Sequence, residues 1–410
     1  MGQKGKQKAL IGKAVVGQSG GCTAVINQSL AGVIDGACGR SCITDLWGTR
    51  HGVMGILKGE YIDLQCQPKG IVKAVANQPS SALGSARYKL GEGEEYRVIR
   101  NFSKSNIRYV FFIGGNDTAE TILRIAHAAK KEKYELRAIH IPKTIDNDLM
   151  ETDHCPGYGS VARFVAITTQ EAGLDTRAMR HVDPVKIIEV MGRNSGWITA
   201  ASALLKQSEL DPPHLLLVPE IPFVEARFIQ QVRETIQKAG YCVVVISETI
   251  RNEQGEKIGA RKEGILKDSF GHQYVEGASS VLVRLIENNL KIRARYDKPG
   301  TIQRMSMPYV SEVDQREAYE AGVYAVKWAC EGVSEVMVSF ARVPGKRYRI
   351  QCRMVPLKNI PHRERYLPNN FLNKEKTNVS KAFMKYALPL IGKNLPQFPF
   401  LRSVQPRIVE

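Results

Sequence analysis

Short, almost unbroken apolar runs recur along the chain, each closed by glycine, proline or charge. They are "KAVVGQSGG" from Lys13, "IRYVFFIGGNDT" from Ile107, "LRAIHIPKTIDND" from Leu136, "VKIIEVMGRNSGW" from Val185, "HLLLVPEIPF" from His214 and "YCVVVISETI" from Tyr241. Continuous rather than alternating apolar positions predict strands covered on both faces, as in a parallel sheet between helices. Between the runs the period changes. In "TAETILRIAHAAKKEK" the residues Ile122, Ile125, Ala126 and Ala129 fall on one helical face. Asp117, three residues before Glu120, has the spacing of a capping box at the start of that helix. The pattern predicts doubly wound α/β architecture in two lobes. The chain passes between them near Cys155 to Gly159, in "CPGYGS", and crosses back near Arg304.

In such sheets ligands gather beyond the C-terminal strand ends, and the unusual residue clusters lie there. "SGG" (Ser19 to Gly21) follows the first strand and lets backbone N–H groups approach a phosphate. "GGNDT" (Gly114 to Thr118) joins two glycines to side chains that can hold a metal or phosphate, then opens a helix. A capped turn explains Gly115 and Asp117 taken singly. It does not explain their combination with the cation and carboxylates of "KTIDND", where Lys143, Asp146 and Asp148 end a strand.

Those three are what phosphoryl transfer to an alcohol requires, a carboxylate to accept the hydroxyl proton and a cation beside the transferring group. On an extended segment Asp146 and Asp148 face the same side. "MGR" (Met191, Gly192, Arg193) adds a guanidinium suited to bidentate phosphate contact. Glu248 in "ISETI" is placed to meet sugar hydroxyls, and "RARYDKPGTIQR" gathers Arg293, Arg295, Lys298 and Arg304.

Composition narrows the classes. At 410 residues, 43% hydrophobic and 24% charged, the chain has an ordinary globular make-up and more than one core. No run approaches the ~18 apolar residues of a membrane helix. "MGQKGKQKAL" has no apolar signal core, so the cytoplasm is the expected compartment. The eight cysteines form no CxxC pair, Cys38 and Cys42 being the closest two, and are expected as reduced, mostly buried thiols. The net charge of +17 suits either nucleic acid or a small anionic substrate. Basic runs such as "KKEK" lack the interleaved aromatics that stack bases, which argues for the small anion.

On "PKTIDND" and "MGR" together, supported by "SGG" and "GSAR", the chain resembles the 6-phosphofructokinases, and among them the pyrophosphate-dependent kind. The similarity runs from "VVGQSGG" to "VKWACEGV", with weaker traces in "YRIQCRMVPLKNI" and "RERYLPNNF". It implies an α/β fold of two Rossmann-like doubly wound lobes. Residues 1–157, completed by 304–345, are expected to bind the donor, and residues 158–303, completed by 346–410, the sugar phosphate.

The resemblance implies roles by position. Asp146 matches the base for the sugar 1-hydroxyl, with Thr144 and Ile145 beside it, and Asp148 its acidic neighbour at a Mg2+ ion. Met191, Gly192 and Arg193 match the segment touching the sugar and the transferring phosphoryl, and Glu248 the hydroxyl acceptor. Arg295, Thr301 and Arg304 match the 6-phosphate end. Gly20, Gly21, Arg87, Gly115 and Thr118 match donor contacts. ATP-using members have glycine where this chain has Asp117 and Lys143, whereas pyrophosphate users have aspartate and lysine. A carboxylate there repels a nucleotide α-phosphate.

Pyrophosphate and fructose 6-phosphate are therefore the expected substrates, and a homodimer or homotetramer the expected assembly. Nucleic acid and membrane are not expected partners. ATP as donor, sedoheptulose 7-phosphate as acceptor and a non-catalytic, nucleic-acid-binding homologue are the alternatives. The chain departs from the family pattern in four places. Asn116 replaces a metal-binding aspartate, "SGGCTAVIN" lacks Ala-Pro-Gly, Thr301 replaces histidine or tyrosine, and Pro184 replaces an arginine that reaches a neighbouring subunit.

Overall fold

The computed structural model describes residues 10–259, 277–399 and 401. The first nine residues of "MGQKGKQKAL" lie outside them. The strands are β1 (Gly12–Gln18), β2 (Ile43–Thr49), β3 (Tyr61–Asp63), β4 (Ile107–Gly114), β5 (Arg137–Pro142), β6 (Val185–Val190), β7 (Leu215–Leu217), β8 (Cys242–Ser247), β9 (Ala294–Asp297), β10 (Val336–Arg342) and β11 (Ile350–Pro356). The helices are α1 (Ile26–Ala37), α2 (Val53–Lys58), α3 (Lys69–Ala76), α4 (Glu94–Lys104), α5 (Asn116–Lys131), α6 (Tyr158–Ala178), α7 (Trp197–Ala201), α8 (Glu225–Ala239), α9 (Ala278–Leu290), α10 (Glu312–Cys330) and α11 (Lys381–Ala387).

They form two sheets. The larger has seven strands in the order β11-β10-β5-β4-β1-β2-β3, and the smaller has four in the order β7-β8-β6-β9. Every pairing is parallel except β10 with β11 and β2 with β3. The continuous apolar runs end up here for the expected reason. Val15, Val16, Val110, Phe111, Phe112, Ile139 and Ile141 are all fully buried, with helices on both sheet faces.

α6 carries the chain from the large sheet to the small one, and α10 brings it back to pack along α1. Glycines permit that crossing: a Cβ on Gly32 would stand 2.1 Å from the Tyr319 carbonyl oxygen, and one on Gly322 2.2 Å from that of Ser29. β11 keeps the chain in the larger sheet beyond residue 345, so the stretch 346–410 assigned to the second lobe begins inside the first.

The capping box is not formed. α5 starts at Asn116 with Gly115 as its N-cap and no side-chain cap, leaving Asp117 in the first turn. There its charge still favours the helix N-terminus, and its carboxylate stays available to the space beyond.

Candidate active site

The C-terminal ends of β1, β4, β5, β6 and β8 open onto one cleft of about 340 Å³. Its walls include Gly20, Gly21, Arg87, Gly115, Asn116, Asp117, Thr118, Lys143, Thr144, Ile145, Asp146, Asp148, Met191, Arg193, Glu248 and Arg304.

After β1 the chain turns at Gly20, with φ of 78°, a left-handed conformation that favours glycine. Lack of a side chain also serves proximity. A Cβ on Gly20 would lie 3.3 Å from the Lys143 ammonium, and one on Gly21 2.5 Å from the Arg304 guanidinium. Two cations therefore converge on the bare backbone of the loop. Ser85 Oγ donates to Gly20 O at 2.6 Å and pins the segment carrying Arg87 onto it. Gly114 is tight for another reason, since a Cβ there would collide with Thr118 at 2.1 Å.

Lys143 is only 4% exposed and its ammonium has no hydrogen-bond or salt-bridge partner among the described residues. Burial pulls it down to about 8, the nearby Arg304 adding to the effect. A buried, unpaired cation aimed at a glycine loop is half of an ion pair whose anion is exogenous. Burial also lowers Arg304, and its buried Nε lacks a partner among the described residues.

Asp146 and Asp148 both reach the cleft, although the segment between them is not extended. Asn147 sits at φ of 56° and breaks the alternation. Burial pushes Asp146 up to about 6, opposed by Arg193, whose Nε stands 3.9 Å from the carboxylate. Asp148 rises to about 7 through burial and the charge of Asp146. Arg193 itself has φ of 47°, and its backbone N–H donates to Glu248 Oε1 at 3.1 Å, tying the ends of β6 and β8 together.

Several supporting residues were not picked out in the sequence. Arg365 donates to the carbonyls of Asn147, Thr152 and Asp153, and its own N–H donates to Asp148 O at 2.8 Å, so it clamps the carboxylate loop. Asn147 accepts from Cys155 N at 3.0 Å, Ser195 Oγ donates to Asp146 O at 3.0 Å, and buried Gln303 accepts from Met191 N at 3.1 Å. Cys22, Glu120, His362, Arg363, Glu364 and Tyr366 also line the cleft.

Three expected residues, Arg295, Thr301 and Gly192, are not among its walls. Arg295 lies on the edge strand β9 opposite Lys186, near the start of β6 rather than its end, and pairs with Asp183 at 2.8 Å. Thr301 is exposed and outside the cleft walls. Within their cluster, Arg293 also pairs with Asp183 and Lys298 with Glu189, which leaves Arg304 as the member that faces the site. Gly192 carries φ of 137°, a conformation that side-chain-bearing residues rarely adopt, between the lining residues Met191 and Arg193.

Asn116 and Asp148 can be tested as metal ligands on their own atoms. Asn116 Oδ1 is buried with no partner among the described residues, and Asp148 is half-buried with the charge of Asp146 close by. Among the described residues no three His, Cys, Asp or Glu side chains form a metal-binding group. Such a sparse oxygen set fits Mg2+, which takes few protein ligands and the rest from water and phosphate.

A cleft at parallel strand ends, with clustered cations and a half-buried carboxylate pair, defines an anion-handling transferase of the doubly wound class. The family model for phosphofructokinase matches residues 13–329, and the chain belongs to that family. It is 38% identical to a pyrophosphate–fructose 6-phosphate 1-phosphotransferase of Rhodospirillum rubrum over 96% of this chain and 97% of that one. It is 37% identical to the protein of the same name from Halomonas elongata, covering 94% and 93%. The crystal structure of a pyrophosphate-dependent phosphofructokinase from Nitrosospira multiformis superposes with a TM-score of 0.86 at 34% identity, covering 97% and 95%.

Proposed function

We propose that this chain reversibly transfers a phosphoryl group from pyrophosphate to the 1-hydroxyl of fructose 6-phosphate, giving fructose 1,6-bisphosphate and phosphate. The relatives' names support the reaction. The observation that carries the donor is the buried, unpartnered Lys143 over Gly20, with Asp117 in the same cleft.

Asp146 is the base. Its raised affinity for a proton suits a group that takes one from an alcohol near neutrality. Arg193 faces it and neutralises charge on the transferring phosphoryl, while its backbone fixes Glu248 against the sugar hydroxyls. Thr144, Ile145, Met191 and Gly192 shape the sugar subsite. Arg304 serves the 6-phosphate from the side facing Gly21. Lys143 holds the donor with the backbone of Gly20, Gly21 and Gly115, Thr118 at the helix start and Arg87 on the facing loop. Asn116 and Asp148 would hold Mg2+, which when bound supplies charge neutralisation on the phosphate oxygens.

A homo-oligomer belongs to the same reading. β9 is an open sheet edge carrying Arg295 and the exposed Tyr296, with exposed Ile302 following it and exposed Val182 just before β6, the strand it pairs with. A second copy covering that edge would protect it and present Arg295 to the neighbour's sugar phosphate. The basic charge fits an enzyme of anionic metabolites.

The test is one donor panel, kcat/KM for ATP and for pyrophosphate with Mg2+ and fructose 6-phosphate, in the unmodified protein, Asp117→Gly, Lys143→Gly and the double variant. The unmodified chain should use pyrophosphate, and the double variant should move toward ATP. A native preference for ATP overturns the donor assignment.

A further inference from the structure

Cys42 and Cys330 stand 288 positions apart in the chain, yet their sulfurs lie 2.8 Å apart. Cys42 directly precedes β2 and Cys330 is the last residue of α10, so the contact joins the start of a strand to the end of the helix laid over the same sheet. Both lie at the N-terminal strand ends, opposite the cleft, and neither lines it. The separation is far inside ordinary contact between two sulfurs and under an ångström from the ~2.05 Å of a disulfide. The other cysteines of the chain are also free, and no other pair of them is within bonding contact among the described residues.

We propose that Cys42 and Cys330 are a redox-active dithiol that closes to a disulfide and staples β2 to α10. With hydrogen peroxide as the oxidant, one thiolate sulfur attacks a peroxide oxygen and breaks the O–O bond, giving a sulfenic acid and hydroxide. The second sulfur then attacks the sulfenic sulfur and displaces its hydroxyl, which leaves as water with the proton of the second thiol. Two thiols lose two electrons and two protons in total, and peroxide becomes two waters. Burial and the neighbouring Cys42 push the Cys330 thiol up to about 12, and at 2.8 Å either sulfur can resolve a sulfenic acid formed on the other. Cys42 is buried and Cys330 half-buried, so a small oxidant meets the pair from the Cys330 side.

The staple has a long reach. The other end of α10 holds the junction between the sheets, because Asp314 accepts from Gly157 N at 2.9 Å and from Ser160 Oγ at 2.6 Å at the start of α6. A bond closing a loop of 288 positions removes much freedom from the unfolded state, so the oxidised protein should melt at least ~5 °C above the reduced one.

The test treats reduced, full-length protein with stoichiometric hydrogen peroxide, blocks remaining thiols and digests it without reductant for mass spectrometry. The expected product is the Cys42 peptide joined to the Cys330 peptide, separable by dithiol reductant. The melting shift should be absent in C42S and C330S. Recovery of both cysteines as blocked thiols or higher acids, or their linkage to other cysteines, overturns the proposal, as does an equal melting shift in C42S. The peptide measurement on the unmodified chain decides even where a variant fails to fold.

Discussion

The two sides of the cleft are built differently. On the larger sheet, Lys143, Gly20, Gly115 and Asp117 follow directly from the ends of β1, β4 and β5, and the buried Lys143 has no hydrogen-bond or salt-bridge partner among the described residues. On the smaller sheet, Arg193 and Glu248 end β6 and β8 in the same manner, but the downstream cations divide. Arg304 turns into the cleft, whereas Arg293, Arg295 and Lys298 are tied to Asp183 and Glu189. One side is complete within a chain, and the other keeps part of its charge at an open edge. Strand ends fix positions through the sheet; residues past an edge strand are fixed only by what packs on them.

The largest expected effect lies at the seam. Asp146→Asn keeps shape and hydrogen-bonding capacity but cannot accept the hydroxyl proton, so kcat should fall by ~10²–10⁴ with both KM values little changed. A variant within tenfold of the unmodified rate removes Asp146 from the base role.

Next comes the complete side. Lys143→Gly removes the charge and leaves its cavity to water, and turnover with pyrophosphate should drop ~10²–10³-fold, as for other preorganised electrostatic groups. Steady-state rates at saturating fructose 6-phosphate measure it. An intact rate would mean that the buried cation is a structural tie.

The divided side should respond in KM. Arg304→Ala should raise the KM for fructose 6-phosphate ~10²-fold and that for pyrophosphate far less. Arg295→Ala should raise the same constant by about tenfold, through the neighbouring copy, since hydrogen bonds to charged groups contribute roughly 1.5–3 kcal/mol. An Arg295→Ala enzyme with unchanged constants would make β9 a solvent face.

Much of this was legible in the chain before folding. Strands buried on both faces announce themselves as unbroken apolar runs, and β1, β4, β5, β6 and β8 with their terminal clusters were all visible that way. β2 was not, because "ITDLWGT" interrupts its apolar positions with exposed Thr44 and half-buried Asp45. Arg365 was hidden for a different reason. In "RERYLPNNF" it reads as one solvated arginine among several, and only the fold stacks it 4.6 Å over Trp197 with its donors on the Asn147 carbonyl. Its partners are backbone oxygens, which every residue has, so no pattern of side chains pointed to it. Arg295 lies outside the cleft of its own chain, for a motif position gives the type of residue and not the distance from the site.

The smallest effect, and the one that reads both sides together, is pH. The Asp146–Asp148 pair is lifted by burial to about 6 and about 7, and its macroscopic titrations belong to the pair. The base must be ionised, so kcat/KM should fall as pH drops through that range, by up to tenfold per pH unit below it. Lys143 is lowered by burial to about 8 and must be protonated to meet the donor, so kcat/KM for pyrophosphate should fall again as pH rises past that value. The two limbs report the free enzyme. Bound pyrophosphate supplies the missing anion, raises the proton affinity of Lys143 and should carry the alkaline limb of kcat to higher pH. Asp146→Asn should shift or abolish the acid limb and leave the alkaline one in place. If instead the alkaline limb of kcat/KM survives unchanged in Lys143→Arg, whose guanidinium does not titrate in this range, the cation that titrates there is a different one and the division between the two sides must be redrawn.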